Sequence, residues 1–168
     1  VAVRDDQRSV LAPLAGRQCH APVVVGAFGP GHGGGKGDLV VQAEVAAATR
    51  DPQRCATARA DLAKLVDHWA VVAAGVWVHG PMAHWCALID AAQSRWDDAI
   101  AGFTAARRAA DRLGARPWSI EARTRLAEAL IARGLPADTG AASALLTEVE
   151  HEASGLGMRA TVERARRA

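Results

Sequence analysis

From Leu39 to the end of the chain, apolar residues recur at intervals of three and four, the period of a helix that buries one face. The clearest case is Trp96, Ala99, Phe103 and Ala106, which stand three, four and three apart and so project from one side. The small side chain at Ala99 lets a second helix come close, while Trp96 and Phe103 fill the space on either side. Ala142, Leu146 and Val149 repeat this arrangement, as do Ala58, Leu62 and Leu65 more weakly. The tetrapeptide Leu113-Gly114-Ala115-Arg116 is echoed by Leu156-Gly157-Met158-Arg159 at an offset of 43 residues, within the range of helical-hairpin repeats.

The pattern predicts helices over 39–49, 52–66, 82–92, 95–113, 118–133, 139–154 and 158–167. Asp51 followed by Pro52 reads as an N-cap with proline in the first turn. Ser94 is the candidate N-cap of the helix from Arg95, and Gly114 sits where a left-handed C-terminal cap is expected. Gly134 and Pro136 stop the helix that starts at Trp118. The Val-rich run Val71 to Val78 reads as a connector closed by Gly80-Pro81, with Trp77 anchoring it across neighbouring helices. Three hairpins are about the minimum that can bury a continuous core by stacking.

Residues 1–38 differ. Arg8 to Ala15 could form a short helix and Pro22 to Gly26 a strand. Gly26 to Asp38, however, holds seven glycines and Pro30, a composition that cannot sustain a regular element. The expected organisation is a flexible or poorly ordered segment over 1–38 and one helical domain over 39–168.

Composition agrees with helices. Ala and Leu are abundant, Tyr is absent, and β-branched residues are sparse outside the Val-rich segments. Arg outnumbers Lys 18 to 2, a bias of the kind a GC-rich genome imposes. A net charge of +2 is too small to imply a nucleic-acid partner, which normally needs a concentrated basic face. Cys19, Cys55 and Cys86 are odd in number and widely spaced, so a reducing cytoplasm is expected rather than a disulfide framework. No apolar run reaches the roughly 18 residues a membrane span requires. The first residue is Val rather than Met, as expected of an excerpt or an uncertain start.

Candidate chemistry is thin. Gly35-Lys36 suggests a phosphate loop, but Pro30 stands where a glycine is needed, and Gly37-Asp38 replace the Ser or Thr that would hold magnesium. A linker is the better reading, and no cofactor is expected. His79, His84 and Cys86 hint at a metal site, yet His84 and Cys86 are two apart on a helix and point to different sides. Cys86 with His84 or His79 is also the only nucleophile pairing; at an apolar helix position the thiol would be inert. Asp97 and Asp98 lie in a first turn, where carboxylates complement the helix dipole. Arg159, Arg164, Arg166 and Arg167 form a basic cluster, read as a solvated helix face or a docking patch for an acidic partner.

Trp96-Asp97-Asp98-Ala99-Ile100 with Phe103 and Ala106 resembles the second helix of a tetratricopeptide repeat. Cys86-Ala87 and Leu126-Ala127 stand where its first helix carries a large-small pair. A longer run is more specific: Gly80-Pro81-Met82-Ala83-His84-Trp85, then Arg95 to Ala99, then Arg112 to Trp118 and Ala132-Arg133-Gly134. It resembles the C-terminal helical arm of actinobacterial LuxR-type and activator-domain regulators that carry a signal-transducing ATPase module. The resemblance covers about residues 55–168, with Ser94 where that family usually has glycine.

The resemblance implies an all-α, right-handed α–α superhelix of about three hairpins. Its repeat core would be Ala87, Trp96, Ala99, Phe103, Ala106, Leu126, Ala127, Leu130, Ala142 and Leu146. The function it implies is a non-enzymatic, cytoplasmic interaction module, the sensing or regulatory arm of a signalling or transcription-regulator system. Its partner would be a protein, a peptide or another domain of the regulator, bound without direct contact to nucleic acid or membrane. Trp85 and Trp118 either pack between repeats, the favoured reading, or line the concave groove; with Arg159 and Arg164 they are the candidate partner-binding residues. A second expectation is a fragment of an ATP-dependent LuxR-type regulator whose ATP and DNA binding reside outside this chain. A third is self-association through the last helix.

Overall fold

A computed structural model describes residues 23–26, 39–72 and 77–168. The phosphate-loop candidate at Gly35-Lys36, the short helix over 8–15 and Cys19 lie outside the described residues.

In order, the elements are β1 (Val23–Gly26), α1 (Leu39–Thr49), α2 (Pro52–Ala63), β2 (Trp69–Val72), β3 (Trp77–Pro81), α3 (Met82–Ala92), α4 (Trp96–Leu113), α5 (Arg116–Arg133), α6 (Pro136–Gly155) and α7 (Arg159–Arg167). Links of two or three residues join α3 through α7, so consecutive helices run in opposite directions and pack as neighbours. In addition, α1 packs directly on α3.

Each turn between adjacent helices contains a residue with positive φ: Arg50, Ser94, Gly114, Gly134 and Gly157. Ser94 is therefore not the expected N-cap. It takes the left-handed position (φ 57°), and Arg95 precedes the first turn of α4. Asp51 does cap α2, its carboxylate accepting from the Arg54 amide at 2.7 Å. Two helices start earlier than their apolar pattern suggests, α5 at Arg116 and α6 at Pro136, each with proline in its first turn, where φ is already set. Conversely, α2 ends at Ala63 instead of Val66, because turns through Leu65 and His68 redirect the chain into β2.

The main departure is a small sheet. β1 pairs in parallel with β2, and β2 pairs antiparallel with β3, with an irregular register at Ala70/Val71. The two described ends of the Val-rich run are thus paired strands rather than a connector, and His79 lies in β3 rather than in a loop. The physical reason is local: valines stiff at χ1 favour the pleat, and the stretch is too short for a stable helix. The anchoring expected of Trp77 concerns a side chain outside the described ones. The fold is mostly helical with this sheet attached.

Most of the predicted core residues meet in one cluster. Ala87, Ala99, Phe103, Leu126, Ala127, Leu130 and Ala142 are buried together, with Trp96 and Leu146 packed against them. Ala106 joins Ala83 and Ala122 where α3, α4 and α5 converge. A second cluster, built on Val40, Leu62, Met82, Trp85 and Ile89, joins the first hairpin to α3.

Ion pairs fasten the helices at their edges. Arg123, 5% exposed on α5, makes two 2.8 Å bonds to the Glu152 carboxylate on α6. That contact raises the Arg123 pKa and lowers that of Glu152. Arg133 likewise grips Asp138 and reaches Asp97 on α4, and the bond lowers the Asp138 pKa.

Candidate functional site: an aromatic cleft on the odd-numbered helices

A cleft of about 710 Å³ opens between α1, α3 and α5. Every lining residue belongs to one of these helices, except Met158 just before α7. From α1 come Glu44, Ala47 and Ala48; from α3, His84, Trp85 and Leu88; from α5, Pro117, Trp118, Glu121 and Arg125. Its size is that of a binding cleft, and its walls are mainly apolar with a few polar groups.

Trp85 is held from two sides. Its indole N–H donates to the His79 carbonyl at 2.7 Å, and its ring meets that of Trp118 edge-on at 6.3 Å and 67°. The sheet therefore has a structural consequence for the cleft, since β3 carries the carbonyl that orients Trp85. Trp118 packs over Gly80, also in β3, so that two residues of one short strand position both tryptophans.

His84 sits among the rings. Its imidazole lies 5.2 Å from Trp85, 5.4 Å from Phe103 and 5.7 Å from Trp118, each edge-to-face. It is 3% exposed, and its Nδ1 is buried with no hydrogen-bond partner among the described residues. Burial, reinforced by the charges of Arg125 and Arg164, pushes its pKa down to about 3, so it is neutral at physiological pH. Among the described residues no group of three or more His, Cys, Asp or Glu is placed to hold a metal ion. Cys86 points into the core beside Met82 and Ile89, and burial pushes its thiol pKa up.

The basic C-terminal residues divide. Arg164 turns back onto α5, with Nη2 2.7 Å from Glu128 Oε2 and Nη1 3.2 Å from Glu121 Oε1. Arg166 pairs with Glu150 on α6. Arg159 is exposed. Arg164 thus fastens α7 to the body of the molecule, while Trp85 is buried in the core, Trp118 is half-buried against it, and both border the cleft.

The three charged residues of the cleft, Glu44, Glu121 and Arg125, escaped the sequence reading. Glu44 had a signal, being the only charge in an otherwise uncharged α1. Glu121 and Arg125 had none, because α5 carries charges on several sides and only packing decides which of them face the cleft. No protein-family profile, no curated protein and no solved structure matches this chain, so the cleft is read from its own residues.

Proposed function

We propose that the chain is a non-enzymatic recognition module, a tetratricopeptide-like stack of about three hairpins whose odd-numbered helices form one receiving surface. The observation that carries this reading is the cleft, lined almost wholly by α1, α3 and α5 and furnished with two fixed tryptophans. Rigid aromatic side chains lose little entropy on contact and commonly dominate binding energy. The occupant on this reading is a peptide or partner segment, in keeping with the sensing arm of a bacterial regulator.

The test is selection from a displayed random-peptide library, repeated on an Ala48→Trp variant. Ala48 is an exposed helical position on the cleft wall, so the added indole fills the cleft without entering the core. Peptides that bind the parent and lose binding to Ala48→Trp are the expected result. A selection yielding only peptides indifferent to that substitution overturns the reading.

A further inference from the structure

The cleft has a charge preference that follows from how its ionic groups are already paired. Glu121 and Glu128 are shared between Arg125 and Arg164, with nitrogen–oxygen distances of 2.7 to 3.5 Å in the bonds from Arg125 and from the Arg164 amino groups. These four groups cancel. The Arg125 guanidinium on the wall is therefore committed and offers little to an incoming anion. Glu44, on the opposite wall, is exposed and makes no ion pair among the described residues. The uncompensated charge at the cleft is therefore negative.

The remaining surface suits a cation too. Trp118, half-buried at the cleft and backed by the buried Trp85, supplies an indole π-system whose face attracts a guanidinium or ammonium group within about 6 Å. His84 adds no positive charge, and its buried Nδ1 is a polar atom still lacking a partner. Arginine matches this set better than lysine, because its planar fork can lie on an indole and still donate to a carboxylate.

We propose that the occupant of the cleft is a partner segment presenting an arginine, whose guanidinium lies against the Trp118 indole and pairs with Glu44. This rests on the recognition reading above and adds the chemistry of the partner. An acidic segment would meet the free Glu44 carboxylate and find no unpaired arginine on the cleft wall.

The experiment uses three short helical peptides, identical except for Arg, Gln or Glu at one central position, titrated against the full chain by tryptophan fluorescence and calorimetry. The arginine peptide is expected to bind about five- to tenfold tighter than the glutamine peptide, with the glutamate peptide weakest. Glu44→Gln, at an exposed position that leaves folding intact, should reduce the Arg-over-Gln preference to about twofold or less. Retention of the preference in Glu44→Gln overturns the proposal. Equal binding of all three peptides, abolished by Ala48→Trp, overturns the cation preference but leaves groove recognition standing. Binding of none, alongside a library selection with no cleft-dependent peptide, overturns both.

Discussion

A Cβ built on Gly80 would lie 2.4 Å from Cε3 of Trp118, closer than any real contact allows. Gly80 also has φ +82°, a conformation costly for any residue with a side chain. The close approach of this strand residue to the indole fixes one wall of the cleft. Gly80→Ala should therefore lower stability by about 2–4 kcal/mol, combining backbone strain with overpacking. It should also displace the Trp118 ring and shift the tryptophan emission of the folded protein. Unchanged stability and unchanged emission would show that the strand does not support the cleft.

Two other glycines predict opposite outcomes for one substitution. A Cβ on Gly102 of α4 would lie 2.8 Å from the Ala87 Cβ of α3, whereas one on Gly140 of α6 meets nothing within 4 Å. Both are helical, so alanine brings a propensity gain of up to about 1 kcal/mol at each. At Gly140 that gain stands alone, and Gly140→Ala should stabilise by about 0.5–1 kcal/mol. At Gly102 the helices must part, and the overpacking should exceed the gain, leaving a net loss of about 1 kcal/mol. Chemical denaturation of the two variants decides it; a stabilised Gly102→Ala would mean that α3 and α4 have room to spare.

Asp90 is 2% exposed and takes two hydrogen bonds from Arg59 Nε, at 3.0 and 3.1 Å, and another from Arg95. It therefore joins α2, the end of α3 and the turn into α4. Asp90→Ala leaves two guanidinium groups without their anion and should cost about 3 kcal/mol or more. Replacing exposed Asp98, whose contact with Arg95 is 3.8 Å, should cost under about 1 kcal/mol. Equal losses in the two variants, measured by urea unfolding, would count against a special role for the buried carboxylate.

His84 gives the pH dependence. Burial, with the charges of Arg125 and Arg164, holds its folded-state pKa at about 3, below the unfolded value near 6.5. The unfolded chain therefore binds a proton between these two values that the folded chain refuses. Its contribution is complete above pH 6.5 and declines as the pH falls towards 3, by about 1.4 kcal/mol per pH unit. His84→Phe should flatten the stability profile between pH 6.5 and 5.5, a window above the ordinary carboxylate values of 4.5 and 3.8 from which Glu152 and Asp138 are lowered. An imidazole resonance for His84 that titrates near 6.5 in the folded protein would refute its burial in the neutral form.

The helical part of the fold was legible because its signals are local. Trp96, Ala99, Phe103 and Ala106 carry the helical period, Asp51-Pro52 carries a start, and Gly114 and Gly134 carry stops. The sheet was less legible. A run of valines suits a pleat, but only a partner strand makes it one, and the partner of β2 on one side is residues 23–26, separated from it by two helices. Ser94 misled for a related reason: its side chain suits a cap, but the tight reversal between α3 and α4 demands a left-handed residue there.

The candidate site divides in the same way. Trp85 and Trp118 stand out in any reading of the chain, as rare aromatics beside helix starts. Nothing in the order of residues says that Glu44, Trp85 and Trp118 face a common space, or that Arg164 is occupied by Glu121 and Glu128 while Glu44 is left over. Sequence alone determined which stretches become helices and which of their faces are apolar, because helical period and turn chemistry act over a few neighbouring residues. Tertiary packing decided which polar groups on the remaining faces meet, since charge pairing and ring contacts depend on distances that only the assembled helices set.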